Sequence, residues 1–218
     1  MEIQWYGHSC FRLVDRNGFA IVTDPFDDSV GYPRPTASAS LVTLSHDHYD
    51  HNRYQLIGGA PKVVNRPGTV APGELPPGVS LRGVAAFHDE VRGRRRGPNT
   101  IFLFELDGVR VAHLGDLGHQ LTPEQLAALT PLDVLLVPVG GTYTIDARGA
   151  YDLCQAVNPK IAIPMHYKTD VCRVDVAPVE PFLRLCPQVE RPGTSRLTLT
   201  AEALSGLRPW KAVVLNYR

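Results

Sequence analysis

The sequence lacks an excess of charge of either sign, because Lys plus Arg and Asp plus Glu both number 22 and the formal net charge is zero. A protein without a basic excess has no general electrostatic attraction to nucleic acid, so we expect no nucleic-acid partner. It also lacks an apolar run approaching the length of a membrane span, and its first residues, MEIQWYGHSC, lack the charged-then-apolar layout of a signal peptide. We therefore expect no membrane partner and a cytoplasmic location.

Cysteine is scarce, and Cys10, Cys154, Cys172 and Cys186 are scattered with no C-x-x-C pair among them. This usage fits the reduced thiols of a cytoplasmic protein better than a disulfide framework. The chain also shows no linker, no low-complexity segment and no short-period repeat, and its 218 residues are enough to bury a substantial core. We expect a single domain over residues 1–218.

Short β-branched runs dominate the first half of the chain, and helix and strand alternate in the second half. Thr122 is a plausible N-cap for a helix that continues through Glu124–Leu129, and Asp146 caps a second helix that runs to Val157. The predicted strands are 2–6, 10–14, 19–23, 40–44, 62–65, 79–87, 100–106, 109–113, 133–137, 160–164, 196–201 and 211–217. Antiparallel strands followed by β-α-β alternation predict a mixed α/β (α+β) domain of two packed sheets with helices outside.

The most informative feature that is present is the segment Ser45–His51, which reads Ser-His-Asp-His-Tyr-Asp-His. His46, His48, Asp50 and His51 place three imidazoles and a carboxylate within six residues. His46 and His48 leave the same face of an extended segment, whereas Asp50 and His51 point to a slightly different position as the chain turns. Neutral imidazole and carboxylate suit zinc and its first-row neighbours, and the spacing suggests two metals.

Further candidate ligands stand where later predicted strands end: His88, Asp116 and His166. A single histidine at a strand end is more often structural than functional. Together with the 45–51 cluster, however, these residues form a coherent set of one acid and two imidazoles at sheet edges. Asp116 is the strongest candidate, because Gly115 and Gly118 allow the backbone to approach a buried centre closely.

With these residues in place, the sequence resembles the metallo-β-lactamase superfamily, whose signature is His-x-His-x-Asp-His and then a His, an Asp and a final His, each after a strand. The resemblance covers essentially the whole chain. It is similar to the small stand-alone hydrolases that include the L-ascorbate-6-phosphate lactonases, and the local matches are Gly7-His8-Ser9, Asp24-Pro25, His113-Leu114-Gly115-Asp116 and Met165-His166-Tyr167. The resemblance implies a four-layer αβ/βα sandwich, with two mixed β-sheets, outer helices and the metals at one edge of the sheets.

The resemblance also implies which side chains hold each metal. One metal takes His46, His48 and His88, the other takes Asp50, His51 and His166, and Asp116 bridges the two. Two dications held by two carboxylates and five neutral imidazoles keep a net charge of about +2, which lowers the pKa of a bridging water so that hydroxide exists near neutral pH.

We therefore expect a metal-dependent hydrolase that uses a metal-bridging hydroxide on an ester, lactone, amide or phosphoester. Its partner is a small-molecule substrate, and Asp50 is the expected catalytic proton acceptor. Zinc is the first expectation for the two divalent ions, and manganese, iron and nickel suit the same ligands.

Four further residues are candidates for the pocket, and each has a structural alternative. Asp24 orients a ligand imidazole or is a turn residue before Pro25, and His8 faces the pocket or is a structural histidine. His119 contacts the substrate or caps the approach to the Thr122 helix. Tyr143 donates a hydrogen bond to the reacting oxygen or packs against its neighbours.

The basic run Arg92–Arg96 follows His88 by only a few residues. It gathers an anionic substrate or is a solvated loop, and solvated loops are the more usual setting for charge runs. The loops 26–39, 66–78, 89–99 and 167–178 are the expected sites of substrate specificity, which the metal ligands do not define.

Three alternatives compete with a dinuclear hydrolase. A nuclease of this superfamily generally carries an extra clamping domain, which 218 residues do not accommodate. A mononuclear iron thiol oxygenase is a redox alternative, and a non-catalytic metal-binding module is a third. The complete ligand set argues against the last, and the sequence gives no indication of oligomeric state.

Overall fold

The computed structural model describes residues 1–71 and 73–217, so Pro72, inside the predicted loop 66–78, and Arg218 lie outside the described residues. The first of two sheets consists of β1 (Glu2–Gly7), β2 (Cys10–Val14), β3 (Ala20–Thr23), β4 (Leu41–Thr43), β5 (Lys62–Val64) and β13 (Arg196–Thr198). Its strand order is β13-β1-β2-β3-β4-β5. The pairs β3–β4 and β4–β5 are parallel and the others antiparallel, so this sheet is mixed.

The second sheet consists of β6 (Gly68–Thr69), β7 (Ser80–Phe87), β8 (Pro98–Leu106), β9 (Val109–His113), β10 (Val134–Pro138), β11 (Ile161–Met165), β12 (Val189–Glu190) and β14 (Lys211–Val213). Its strand order is β12-β14-β11-β10-β9-β8-β7-β6. In this order, the pairs from β12 through β14, β11 and β10 to β9 are parallel. The pairs from β9 through β8 and β7 to β6 are antiparallel. The predicted mixed α/β fold with two mixed sheets is therefore confirmed.

The described helices are α1 (Pro123–Leu129), α2 (Ala147–Val157), α3 (Glu180–Leu183) and α4 (Ala201–Ser205), and single 3₁₀ turns cover Asp28–Val30 and Tyr54–Leu56. Thr122 caps α1 as predicted, in a capping box with Gln125. Asp146 caps α2 by accepting from the Gly149 N–H. The helix α2 packs on β10 and α3. No helix among the described residues is long and apolar enough to cross a membrane.

The main core lies between the two sheets. Trp5 of the first sheet and Phe102 of the second belong to the same buried cluster. Because strand side chains alternate, Ile21 also faces this cluster, while Val22 joins a second cluster on the other face of the first sheet. That second cluster includes Tyr32 and other loop residues, so loops and 3₁₀ turns cover much of this outer face.

Apart from the short strand β6, the strands and helices that were missed or markedly shortened lie beyond residue 179. The strand predicted over 196–201 ends at Thr198, because Thr200 accepts from the Ala203 N–H and starts α4. The strand predicted over 211–217 ends at Val213. The elements β6, β12, α3 and α4 were missed. The strands β6 and β12 are pairs of exposed residues, and the two helices are only four and five residues long, so none of them shows a hydrophobic period.

Candidate metal centre

Strands of both sheets end at the same edge of the molecule. The strands β1, β3 and β4 run in one direction in the first sheet, and β7, β9, β10 and β11 do so in the second. The segments after β1, β4, β7, β9 and β11 carry His8, the 45–51 cluster, His88, Asp116 and His166. A hydrogen bond of 3.2 Å from the His166 N–H to the His8 carbonyl joins the two sheets at this edge.

His46, His48 and His88 form a first group of candidate ligands. One ring nitrogen from each lies within 4.8 Å of the others. The ring centroid of His46 is 4.5 Å from that of His48 and 4.7 Å from that of His88. His46 and His88 are buried and His48 is half-buried. Three converging imidazoles match the three protein ligands of an open zinc-like site.

His8, Asp50, His51 and His166 form a second group, in which all four side chains are buried and the ligand atoms again lie within 4.8 Å of one another. The Asp50 Oδ2 atom is 3.2 Å from His8 Nε2 and 3.6 Å from His51 Nε2. The family resemblance implied three members of this group as ligands, and the structure places His8 beside them.

The Asp116 carboxylate lies between the two groups. Its Oδ2 atom is 3.2 Å from His88 Nε2 and 3.2 Å from His166 Nε2. The same atom is 3.8 Å from His46 Nε2, and the Oδ1 atom is 3.4 Å from His51 Nε2. A single carboxylate within reach of both groups has the position that a bridging ligand requires.

Asp24 and Ser45 orient two of the candidate ligands. The buried Asp24 carboxylate accepts from the Ser45 N–H at 2.7 Å, from the Ser45 hydroxyl at 2.6 Å and from His51 Nδ1 at 3.0 Å. Because its hydroxyl proton goes to Asp24, Ser45 accepts from His46 Nδ1, which is 2.9 Å away. Both imidazoles therefore donate from Nδ1 and turn Nε2 toward the site, where this nitrogen is able to bind a metal once it carries no proton.

Asn99 and Gly115 position Asp116. The Asn99 Oδ1 atom accepts from the Asp116 N–H at 3.1 Å, and its Nδ2 donates to the Leu114 carbonyl at 2.9 Å. Gly115 has a φ of +55°, and a Cβ atom there would lie 2.4 Å from both Asn99 Oδ1 and Ser45 Cβ. A glycine is therefore required next to Asp116 for both backbone conformation and space.

Charges within the site are strongly coupled. Burial lowers the pKa of His46 to about 3, so this imidazole is neutral near pH 7. Burial alone would raise the pKa of Asp116, but the charges of His166 and His51 hold it well below its usual value. Burial alone would lower the pKa of His51, but Asp116 and Asp50 raise it well above its usual value. In the absence of a metal ion, a proton on His51 partly balances the negative charges of Asp116 and Asp50. A bound cation would supply the same balance.

The residues present fit metal ions. The Nε2 atoms of His46 and His51 and the Oδ1 atom of Asp116 are buried, and none has a hydrogen-bond partner among the described residues. Buried polar atoms normally have partners, so these three atoms lack a partner that a metal ion would supply. Imidazole nitrogens with carboxylate oxygens suit zinc, manganese, iron or nickel.

A cavity of about 460 Å³ opens onto this site. Five candidate ligands reach it: His48, Asp50, His88, Asp116 and His166. The other lining residues are Tyr49, Arg96, Tyr143, Arg173, Val174 and Asp175. A separate cavity of about 440 Å³ includes His46 alone among the candidate ligands. The first cavity is therefore the place where a substrate would meet the donor atoms.

The four further pocket candidates fall in different places. Asp24 and His8 lie in the site, and Tyr143 lines the cavity with 36% of its surface exposed. His119 is not among the residues that line this cavity. Its Nε2 accepts from the Phe87 N–H at 3.1 Å and its Nδ1 donates to the Gln120 carbonyl at 2.7 Å, so both nitrogens have structural partners.

The basic run is held in shape by Asp89. Its carboxylate accepts from the backbone N–H groups of Val91, Gly93, Arg95 and Arg96, at 2.7 to 2.9 Å. Among the arginines of the run, Arg96 is the one that lines the cavity. Its Nη2 donates to the Thr142 carbonyl at 3.2 Å, and its guanidinium lies 5.4 Å from the Tyr143 ring centroid. The other three arginines of the run are exposed, so only Arg96 among them is placed to meet a molecule in the cavity.

Sequence reasoning missed three residues of this site. Ser45 and Asn99 position ligands, and Arg173 lines the cavity. Ser45 had a local signal, since it directly precedes His46. Asn99 and Arg173 fall within the loops 89–99 and 167–178 that we expected to carry specificity, but no sequence signal singled out either residue. They reach the site through the pairing of strands and the path of a long loop.

A family model for the β-lactamase superfamily domain matches residues 2–166 of the chain. A metal-dependent hydrolase of the family UPF0173 from Thermoplasma acidophilum is 29% identical over 221 residues, which cover 88% of this chain and 97% of that protein. Another member from Carboxydothermus hydrogenoformans is 31% identical over 201 residues, with 78% and 85% covered.

A solved structure from Thermotoga maritima gives a fuller match. That protein is assigned as a zinc-dependent hydrolase of the metallo-β-lactamase superfamily, and it is 42% identical to this chain. The TM-score is 0.79, and the alignment covers 98% of this chain and 97% of that one. The family model and this solved structure therefore agree over residues 2–166, and the structural match extends over nearly the full chain.

Proposed function

This chain belongs to the β-lactamase superfamily and to its metal-dependent hydrolases, and we propose that it works with two divalent metal ions on a small anionic substrate. The observation that carries the proposal is the position of Asp116, whose carboxylate lies within 3.2 Å of His88 from one donor group and of His166 from the other. A single-metal centre would not need both groups around one carboxylate.

The proposed ligands of one ion are His46, His48 and His88, and those of the other are Asp50, His51 and His166, with Asp116 shared. When bound, such ions supply a hydroxide nucleophile near neutral pH and polarise the carbonyl or phosphoryl oxygen under attack. Zinc is the first choice for this donor set, and manganese, iron and nickel also suit it.

Asp50 is the proposed proton acceptor. Burial by itself would raise the pKa of Asp50, but the charge of His51 and the hydrogen bond from His8 lower it, so the group is a carboxylate at neutral pH. Asp50 lines the cavity, and its Oδ1 atom accepts no hydrogen bond from a described side chain, while Oδ2 is used by His8. One oxygen is therefore available to a proton of the attacking water or of the substrate.

Arg96, Arg173 and Tyr143 are the proposed substrate-binding residues. The two arginines bring two positive charges to a cavity in which Asp175 is the one acid among the described lining residues beyond the candidate ligands. Guanidinium groups bind carboxylates and phosphates through paired hydrogen bonds. The Tyr143 hydroxyl is a donor that a polarised substrate oxygen is able to accept. These groups favour an ester, lactone, amide or phosphoester that carries an anionic group.

The remaining proposals concern where the protein works. We place it in the cytoplasm, acting without nucleic acid, since the four cysteines are free thiols and the net charge is zero. The open cavity argues against a non-catalytic module with a plugged pocket.

The test is a hydrolysis assay with metal-loaded protein on a panel of esters, lactones, amides and phosphoesters, in neutral and anionic versions of each. We expect activity that is lost in His46→Ala, with a preference for anionic substrates. Arg96→Ala should raise KM for an anionic substrate about 10-fold or more, from the loss of about one charge-assisted contact. Arg94→Ala is the matched control, because Arg94 belongs to the same loop but does not line the cavity. Equal inertness of wild type and His46→Ala would refute the proposal.

A further inference from the structure

The backbone of His8 has a conformation that is unusual for a non-glycine residue. Its φ is +50°, in the left-handed region that non-glycine residues seldom adopt. The pairing of β1 with β2 shifts register between Trp5 and Gly7, which is the irregularity that re-aims the end of a strand. The His8 carbonyl accepts from Trp5 Nε1 at 3.1 Å and from the His166 N–H at 3.2 Å. The fold thus fixes His8 against a candidate ligand of the second group.

The His8 side chain is completely buried and lies behind Asp50. It has no exposed surface and is not among the lining residues of the 460 Å³ cavity, whereas Asp50 is. Its ring centroid is 4.3 Å from that of His166 and 4.9 Å from that of His51, and Phe26 packs edge-on against it. His8 therefore approaches the site from the protein interior and does not reach the space where a substrate would bind.

The protonation of the pair follows from its chemistry. The Asp50 Oδ2 atom is 3.2 Å from His8 Nε2. His88 and His166 also lie 3.2 Å from a carboxylate oxygen, but both line the cavity, whereas His8 does not. We therefore assign the His8 contact as a hydrogen bond, in which Nε2 donates because a carboxylate only accepts. The nitrogen closest to the site is then occupied by a hydrogen and has no lone pair for a metal. The other nitrogen, Nδ1, is buried and has no hydrogen-bond partner among the described residues.

We infer that His8 is a positioning residue that acts through Asp50. Its N–H fixes Oδ2 and thereby sets the orientation of the Asp50 carboxylate toward the second metal site and the cavity. Of the four residues in the second group, three are then ligands and His8 is their support. This inference rests on the proposed function, because it assigns Asp50 to a metal site.

Two variants of similar size separate the roles open to His8. His8→Gln keeps an N–H near the place of Nε2 but removes the imidazole, whereas His8→Leu keeps the bulk and removes the donor. Both carry a similar cost for the positive φ, so their difference reports the hydrogen bond. The measurement is the dissociation constant of each zinc ion, from competition with a chromogenic chelator, on protein stripped of metal and refilled. Absorption of the cobalt-substituted protein reports the coordination geometry independently.

We expect His8→Leu to weaken the second metal about 10- to 100-fold and to alter the cobalt spectrum, the range typical for loss of a ligand's hydrogen-bond partner. His8→Gln should restore most of that affinity, and the first metal should change little in either variant. Equal loss in both variants would make His8 a direct ligand and overturn the inference. Unchanged affinity in both would make it a packing residue and overturn it equally.

A double-mutant cycle covers the case in which His8→Leu folds poorly. The cycle uses His8→Asn, because asparagine tolerates the positive φ of this position but is too short to reach Asp50. If His8 acts through Asp50, then adding His8→Asn to Asp50→Asn should change the metal affinity no further than Asp50→Asn alone. An additive loss would overturn the inference. A wild-type protein that holds fewer than two metals would instead refute the proposed function, and that result is visible without any His8 variant.

Discussion

Replacing Asp24 with asparagine should weaken binding of the second metal while leaving the fold in place. The amide oxygen of the variant would still accept from the Ser45 N–H, which is 2.7 Å from Oδ1 of the native carboxylate. The amide nitrogen, however, would face the Ser45 hydroxyl at 2.6 Å and His51 Nδ1 at 3.0 Å, both of which donate to Asp24. To accept from the amide, His51 must move its proton from Nδ1 to Nε2. That change removes the lone pair that we propose for a metal.

The size of the effect follows from the two hydrogen bonds lost. Each hydrogen bond to a charged group contributes about 1.5–3 kcal/mol, so their loss costs about 3–6 kcal/mol before the site relaxes. Relaxation through the His51 tautomer recovers part of the stability and shifts the cost to metal binding. We expect a second metal that binds about 10- to 100-fold more weakly, or by about 1.4–2.7 kcal/mol.

The assay is chelator competition for zinc, combined with thermal unfolding of the metal-free protein. Asp15→Asn is the matched control, because Asp15 is also buried and accepts two backbone N–H groups, from Asn17 and Phe19, but lies at the opposite end of β2 from the site. The control should retain both metals. Unchanged zinc affinity in Asp24→Asn, with a stability loss like that of Asp15→Asn, would show that Asp24 does not orient the ligands.

Three other predictions follow from the same geometry. Because Asp116 and Asp50 raise the pKa of His51, its proton stabilises the metal-free fold below about pH 6.5 and this contribution is lost as pH rises through the raised pKa. Zinc affinity should therefore increase with pH, with about one proton released per chain by calorimetry in buffers of different ionisation enthalpy, and zero release would contradict this account. Gly115→Ala should cost several kcal/mol in urea unfolding and lower metal content, whereas Gly18→Ala, which has positive φ but open space, should cost only about 1–2 kcal/mol. Asp116→Asn should reduce the metal content measured by mass spectrometry to one ion or fewer per chain, and a full complement of two would argue against a bridging role.

The local elements were predictable because their signals are local. The capping box at Thr122 and the buried stripe of α2 were both visible in the sequence. The cluster 45–51 predicted a metal site from the sequence, because its candidate ligands are neighbours in the chain. The strands β6 and β12 are pairs of exposed residues, so the sequence has no run of buried side chains there that distinguishes them from loop.

The support around the site was less predictable, since it depends on pairing between distant strands. Asn99 reaches Asp116 because β8 and β9 are neighbours, and His8 reaches Asp50 because β1 ends at the same edge as β4. His119 shows the structural alternative that the sequence left open, because this histidine, near a ligand in the chain, turns to backbone partners. Sequence spacing identifies residues whose side chains are able to bind metal. The fold determines which of these side chains lie at the metal site.

The two-metal centre is tested most directly by anomalous X-ray diffraction at the metal absorption edge, from crystals of protein purified without a nickel column. We predict two peaks, one on each side of the Asp116 carboxylate. One peak should lie within ligand distance of His46, His48 and His88, and the other within ligand distance of Asp50, His51 and His166. A single peak, or two peaks away from Asp116, would contradict the proposed centre.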